Sequence, residues 1–230
     1  NYDLKMSSFF KMMQDIAVEH AEKLNVGHHQ TVDRGMFWVI NRFQVEVNKM
    51  PKHRTNVILK TYPGKTIKFI FPRHFVLLDE NNNVLIRASS SCLILDIDSR
   101  RIVMNPFENN ELPFEVMEDE LPQPGKIDSL ASNFIENRKV RYNDIDLNGH
   151  LNNTKYIDYI LDLHDSNFYK ENQIKSLLIN YNKELKDGDI VSLYSNNENP
   201  EIISGNINDI NGMSESTGIY NSSEPKGQRS

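Results

Sequence analysis

A polar run in the second half of the chain carries residue types that could activate a water molecule. Asp146, Asn148 and His150 alternate along it, and an apolar-periodic segment follows from Thr154. In an extended segment alternate side chains point to the same side, so these three would share a face. An imidazole can take a proton from water near neutral pH, and a neighbouring carboxylate can hold its tautomer. A surface turn before a helix cap would use the same letters, so spacing alone leaves both interpretations open.

A helix is predicted to begin directly after this run, with Asn152 or Asn153 as its N-terminal cap. The first backbone N–H groups of a helix lack intrahelical partners, and the helix dipole places partial positive charge there. A carbonyl oxygen at that end would be polarised, and one such donor can be worth a factor of about 100–1,000 in rate. On the catalytic interpretation, the run predicts a water-activating His150 beside a helix start that can bind a carbonyl oxygen.

The elements around this run occur twice in the same order. The first set is a helix over 7–24 and strands over 37–47, 56–63, 68–79 and 84–98. The second set is a helix over 154–168, with strand candidates at 139–144, 176–185, 190–195, 201–209 and 213–220. Apolar positions of the two helices align at one constant spacing: Phe9 with Tyr156, Phe10 with Ile157, Met13 with Ile160. A helix followed by an antiparallel sheet, used twice, predicts an α+β repeat.

The polar residues do not follow this repeat. In the same register His150 aligns with Asp3, and Asn152–Asn153 aligns with Lys5–Met6. The two halves thus share their scaffold positions and differ where chemistry could occur. We therefore expect the second half to carry the site.

Composition excludes several classes of function. The 230 residues carry a formal net charge of −6, which argues against a general nucleic-acid binder. No apolar run is long enough for a membrane helix, and the single cysteine, Cys92, excludes an internal disulfide and fits a cytoplasmic protein. No signal peptide is visible and the chain opens without a methionine, so its natural N-terminus is expected to be missing. The histidines lack paired metal-ligand spacing, so we expect no metal. We also expect no cofactor.

One family matches these residues closely. VRYNDIDLNGHLNNTKYIDYIL, residues 140–161, resembles the second-half motif of acyl-acyl-carrier-protein thioesterases, the tandem hotdog enzymes of bacteria and plant plastids. SSFFKMMQDIAVEHAEKLNVG resembles that family's first helix, and FWVINRFQVEVNKMP, TNVILKTYP and CLILDIDSRRIVMNP resemble the strands that follow it. The resemblance implies a double hotdog, two tandem units that each wrap a curved antiparallel sheet around a long helix.

We place the two units by this resemblance and by the proline-rich, acidic composition of the intervening segment. Residues 1–128 form an acyl-binding, non-catalytic unit whose first strand is expected to be missing, with a linker from about 105. Residues 129–230 carry the catalytic motif, with a disordered tail from about 221.

The family implies hydrolysis of a fatty acyl thioester on acyl carrier protein, which ends chain elongation and releases free fatty acid. It implies catalytic roles for Asp146, Asn148 and His150, and it points to Glu184, in NYNKELKDGD, on a following strand. Leu185 stands where the plant pattern has a cysteine, so a cysteine nucleophile is untenable. We expect water attack between His150 and Glu184 without a covalent intermediate; which of the two is the base stays open. A solvated surface charge is the alternative interpretation of Glu184.

The implied partner is acyl carrier protein, which is acidic, so docking would require a local basic face. The candidates near the motif are Lys126, Arg138, Lys139, Arg141 and Lys155. Ordinary solubilising charge would explain them equally well. We expect no nucleic-acid or membrane partner, and either a monomer or a homodimer. Three functions compete: an acyl-acyl-carrier-protein thioesterase, another hotdog enzyme (an acyl-CoA thioesterase or a hydroxyacyl dehydratase), or a non-catalytic acyl- or carrier-binding module.

Overall fold

A computed structural model of the chain describes residues 3–107, 112–116, 120–127, 133–195, 202–209 and 217–225. The chain divides into two compact units. One contains residues 9–124, and the other contains residues 125–230 together with 1–8. The predicted boundary at 128/129 lies outside the described residues and stays a prediction.

The first unit combines a long helix with a four-stranded antiparallel sheet. Its helices are α1 (Met6–Lys23), which belongs to this unit from Phe9 onward, and the short α2 (His28–Val32). Its strands are β1 (Met36–Val47), β2 (Val57–Pro63), β3 (Phe71–Asp79) and β4 (Val84–Asp96), hydrogen-bonded in the order β2-β3-β4-β1. Asn82, with φ 62°, makes the tight turn between β3 and β4, in the ENNN segment where the sequence predicts a hairpin.

Aromatic packing joins α1 to this sheet. The Phe10 ring lies 4.6 Å from that of Phe43 on β1, which in turn stacks on Phe75 of β3 at 5.7 Å. Phe9 and Met13 are fully buried on the same face of α1. The helical spacing of these side chains is what makes this segment a helix with one apolar face.

The second unit repeats the combination. Its helices are α3 (Asn153–Leu161) and α4 (Ser166–Glu171). Its strands are β5 (Asn133–Lys139), β6 (Asn172–Asn180), β7 (Ile190–Ser195), β8 (Ile202–Asp209) and β9 (Thr217–Pro225), paired antiparallel in the order β6-β9-β8-β7-β5. The α3 helix lies beside β8. The α+β prediction is therefore confirmed, and Tyr156, Ile157 and Ile160 are buried like their aligned partners in α1.

Several predicted elements of the second unit differ from the structure. The predicted strand over 139–144 is wrong: β5 ends at Lys139, and residues 142–144 form a turn of 3-10 helix in which Asp144 accepts the Arg141 backbone N–H at 3.0 Å. The predicted helix over 154–168 is broken after Leu161, because Asp165 caps a new helix through the N–H groups of Asn167 and Phe168. The strand β9 continues through Pro225, past the predicted start of the tail at 221.

Among the described residues, no helix combines the length and the apolar character needed to cross a membrane.

Candidate active site

The predicted catalytic run forms a closed turn, whereas the sequence interpretation assumed an extended segment. Ile145 and Leu151 pair across the turn as an antiparallel bridge, and the Asp146 N–H donates to the His150 carbonyl at 2.8 Å. Gly149 sits at φ 79°, a left-handed conformation that glycine adopts without steric cost. The expectation that alternate residues share one face is wrong because this turn reverses the chain between Asp146 and His150.

The Asp146 carboxylate has a defined role within the turn. Its Oδ1 accepts the backbone N–H of Asn148 at 2.8 Å and that of His150 at 3.2 Å. These bonds fix the backbone on which the imidazole is mounted. Asn148 is exposed at the tip of the turn beside the fully exposed Leu147, so its amide faces solvent from this position.

A second carboxylate fastens the base of the turn to α3. Asp144 Oδ2 accepts the Tyr159 hydroxyl at 3.0 Å, and its Oδ1 lies 3.5 Å from Lys155 Nζ. The Asp144 carbonyl accepts the Asn152 N–H at 2.8 Å. The turn is thus tied to the first two turns of α3.

Asn152 is the N-terminal cap of α3. Its Oδ1 accepts the Thr154 N–H at 2.9 Å and the Thr154 hydroxyl at 2.8 Å, and its carbonyl accepts the Lys155 N–H at 2.8 Å. The N–H groups of Thr154 and Lys155 are therefore already bonded, and the predicted carbonyl-binding role narrows to the N–H of Asn153.

The structure brings His150 and Glu184 together. The distance from His150 Nε2 to Glu184 Oε2 is 3.4 Å, with the imidazole 14% exposed and the carboxylate 40% exposed. Of the four predicted site residues, these two form a direct side-chain pair that solvent can reach, while Asp146 acts on the backbone beside them.

The sequence interpretation placed Glu184 on a strand, and that placement is wrong. The strand β6 ends at Asn180, and residues 181–186 form an irregular segment before β7. This segment leaves the sheet because its main chain is bound elsewhere: the Leu151 N–H donates to the Leu185 carbonyl at 2.7 Å. That bond joins the residue after His150 to the residue after Glu184.

Neither the thiol of Cys92 nor Leu185, which stands where the plant pattern has a cysteine, supplies a nucleophile. Cys92 is half-buried on β4 of the first unit, and burial raises the pKa of its thiol, which keeps it protonated. Leu185 is buried. The part of the chain that the structure describes contains no group of three or more histidine, cysteine or acidic side chains placed to hold a metal.

Comparisons with known proteins identify the family. The acyl-ACP thioesterase N-terminal domain matches residues 1–109, and the acyl-ACP thioesterase C-terminal domain matches residues 127–221. The dodecanoyl-acyl-carrier-protein hydrolase of Cinnamomum camphora is 26% identical in an alignment of 187 positions that covers 75% of this chain and 49% of that protein. The chain spans about half the length of the curated relatives it matches.

Solved structures agree in fold. An acyl-ACP thioesterase from Bacteroides thetaiotaomicron superposes with a TM-score of 0.87 at 21% identity, over 97% of this chain and 91% of that one. The 12:0-ACP thioesterase from Umbellularia californica gives 0.81 at 20% identity, over 98% of this chain and 92% of that one. The predicted double-hotdog fold is confirmed. Both halves of this 230-residue chain match, and it belongs to the acyl-ACP thioesterase family.

Proposed function

We propose that the protein hydrolyses the thioester between a fatty acyl chain and the phosphopantetheine arm of acyl carrier protein. The observation that carries the proposal is the contact between His150 and Glu184, 3.4 Å apart at the amino end of α3, in a member of this family. Water supplies the oxygen of the released fatty acid, and the carrier leaves as a free thiol.

In this mechanism His150 is the general base and Glu184 orients it. Histidine side chains as a class exchange protons near neutral pH, whereas an exposed carboxylate is a weaker base there. Glu184 Oε2 lies against Nε2, so the carboxylate favours the tautomer with the proton on Nε2 and leaves Nδ1 to accept a proton from water. The expectation that the water lies between the two groups is wrong, because a separation of 3.4 Å leaves no room for it there. The reacting water would bind beside the pair.

The remaining groups stabilise the reacting carbonyl and the turn. Attack by water makes the thioester carbonyl oxygen negative, and the Asn153 N–H at the positive end of α3 would donate to it. Asn148, exposed at the tip of the turn, would hold the incoming thioester with its amide. Asp146 keeps the imidazole in place through its two backbone bonds. The C–S bond then breaks, and the imidazolium returns its proton to the leaving sulfur.

The proposed partner is acyl carrier protein, recognised by part of the predicted basic face. Arg138 pairs with Glu136 at 2.6 Å and Asp162 at 2.9 Å, and Lys155 lies near Asp144, so these two cations serve internal ion pairs. Lys139 and Arg141 are exposed on either side of Val140, just before the turn. We assign the carrier contact to these two residues.

Charge reversal tests the docking assignment. Lys139→Glu combined with Arg141→Glu should raise KM for an acyl-acyl-carrier-protein about tenfold, because complementary charge accelerates encounter. KM for a small acyl thioester should not change. Lys60→Glu, which reverses an exposed charge on β2, is the control. Equal effects on both substrates would contradict the assignment.

The substrate class is tested by thiol release from dodecanoyl and palmitoyl thioesters of acyl carrier protein and of coenzyme A. The proposal predicts a higher kcat/KM for the carrier-bound substrates. A higher kcat/KM for the coenzyme A thioesters would instead indicate an acyl-CoA thioesterase. If no substrate released a thiol, the protein would be a non-catalytic acyl- or carrier-binding module. A cytoplasmic location and the monomeric or homodimeric state stay predictions.

A further inference from the structure

Glu184 belongs to a segment with no regular structure to hold it. Residues 181–186 lie between the end of β6 and the turn before β7, and the Glu184 side chain is 40% exposed. A carboxylate in such a position would sample many orientations unless its main chain were fixed. Its contact with His150 therefore depends on what binds the residues on either side.

Two hydrogen bonds bracket Glu184. The Leu151 N–H donates to the carbonyl of Leu185 at 2.7 Å, and the Tyr156 hydroxyl donates to the carbonyl of Lys183 at 3.1 Å. Both donors lie shortly after His150 in the sequence. The residue before Glu184 and the residue after it are thus each bound to the part of the chain that carries the imidazole.

Tyr156 is itself held rigidly. Its ring is only 3% exposed and meets the Tyr181 ring edge-on, with centroids 5.4 Å apart. The Tyr181 hydroxyl donates to the Asn153 carbonyl at 3.2 Å, so each tyrosine reaches from its own segment to the other. Burial, reinforced by the nearby Glu184 charge, raises the pKa of Tyr156, which keeps its hydroxyl protonated as a donor.

We propose that Tyr156 is a positioning residue for the reaction: its hydroxyl fixes the main chain beside Glu184 so that the carboxylate stays against His150. This assignment rests on the proposed function and deepens it. A tyrosine that merely filled the core would need its ring but not its hydroxyl, and the hydroxyl is the group bonded to Lys183.

The first test is Tyr156→Phe, which keeps the ring and removes the hydroxyl. Because small misplacements of catalytic groups are costly, kcat for palmitoyl-acyl-carrier-protein should fall by up to about 100-fold, with KM unchanged. The matched control is Tyr169→Phe, which removes a hydroxyl that donates to the Leu161 carbonyl at 2.6 Å in the same unit. That control should keep the wild-type kcat. Equal kcat losses in the two variants would overturn the assignment.

The second test separates positioning from general destabilisation. In a Glu184→Gln background Tyr156→Phe should cause little further loss of kcat, because the group it positions has already been changed. The same fold-loss in both backgrounds would show that the hydroxyl acts independently of Glu184 and would overturn the assignment.

A crystal structure of the Tyr156→Phe variant tests the positioning role without an activity measurement. The expected result is a His150 Nε2 to Glu184 Oε2 separation longer than 3.4 Å, or a carboxylate in several orientations. An unchanged pair would overturn the positioning role. If the wild-type protein released no thiol but the pair still moved in the variant, the proposed function would fail while the positioning role of Tyr156 stood.

Discussion

Each unit of the chain contains a histidine whose Nε2 faces a glutamate, and the two pairs differ in what surrounds them. In the first unit His74 Nε2 lies 3.7 Å from Glu120, with side chains 6% and 25% exposed. In the second unit His150 lies 3.4 Å from Glu184, with side chains 14% and 40% exposed. A histidine–carboxylate pair alone therefore does not define a site; access and neighbouring donors do.

The surroundings of His74 indicate that its pair with Glu120 has a structural role. It lies on β3 with its ring stacked on Tyr62 at a centroid distance of 5.4 Å. The segment that carries Glu120 crosses this face, where the Ser89 hydroxyl donates to the Pro122 carbonyl at 2.8 Å. His74 Nδ1 is buried and has no hydrogen-bond partner in the described part of the chain. Burial lowers the pKa of His74, against the opposing effect of Glu120, and so favours the neutral ring.

The largest expected effect separates the two histidines. His150→Gln should lower kcat by about 100-fold or more, because general-base catalysis contributes a factor of about 100–10,000. His74→Gln should keep kcat near wild type. The measurement is thiol release from palmitoyl-acyl-carrier-protein, with circular dichroism to show that both variants are folded. Loss of kcat in His74→Gln alone would reverse the assignment of the two pairs.

The glutamate of the second unit should give the next largest effect. Glu184→Gln should lower kcat by up to about 100-fold, because a neutral amide orients the imidazole less well. The matched control is Asp187→Asn, which neutralises an exposed carboxylate on the same stretch between β6 and β7. Similar kinetics in the two variants would make Glu184 a solvated surface charge.

Two substitutions of Asp146 distinguish whether its carboxylate acts by accepting hydrogen bonds in the turn or by its negative charge. Asp146→Asn keeps an Oδ1 acceptor for the N–H groups of Asn148 and His150, so kcat should stay close to wild type. Asp146→Ala removes the acceptor, and a loss of about 1.4 kcal/mol in transition-state stabilisation would lower kcat about tenfold. Equal, large losses in both variants would show that the negative charge itself is needed.

The smallest effect concerns stability and belongs to the first unit. Because the pKa of His74 is lowered in the folded protein, the unfolded chain takes up the proton first as pH falls below about 6.5. The contribution of His74 to the free energy of unfolding is complete above that pH and is lost as pH falls toward the folded-state pKa of His74. Each tenfold difference in proton affinity is worth about 1.4 kcal/mol. In the described part of the chain, Glu120 faces the Nε2 of His74 and the Tyr62 ring stacks on its imidazole.

Urea unfolding from about pH 7.5 to about pH 5 measures this contribution. The wild-type protein should lose more unfolding free energy across that interval than His74→Gln, with His20 and His164 contributing equally to both. Parallel curves for the two proteins would show that the buried ring does not resist protonation.

Much of the fold could be predicted because its signals are local. The apolar repeat located α1 and α3 and their buried faces, and β7 falls at 190–195, where the sequence predicts a strand. The strand β5 was missed because its side chains are mostly exposed and none of them is fully buried. The break after α3 carried a readable signal, the capping Asp165, which helical periodicity obscured.

The proximity of two candidate site residues could be predicted from the sequence, but the local geometry around them could not. The proximity of His150 and Glu184 follows from the family pattern and is present in the structure, but their catalytic roles stay predictions. The closed turn depends on the positive φ of Gly149, and the irregular path around Glu184 depends on the Leu151 and Tyr156 donors. Those donors are distant in sequence from their acceptors, so local patterns do not reveal them.

The most direct test of the central claim is a double-mutant cycle on thiol release from palmitoyl-acyl-carrier-protein, with His150→Gln, Glu184→Gln and the double variant. If the two side chains work as one unit, the double variant should be no slower than the slower single variant. If the two fold-losses instead multiply, His150 and Glu184 act independently, and the pairing 3.4 Å apart would not be the basis of catalysis.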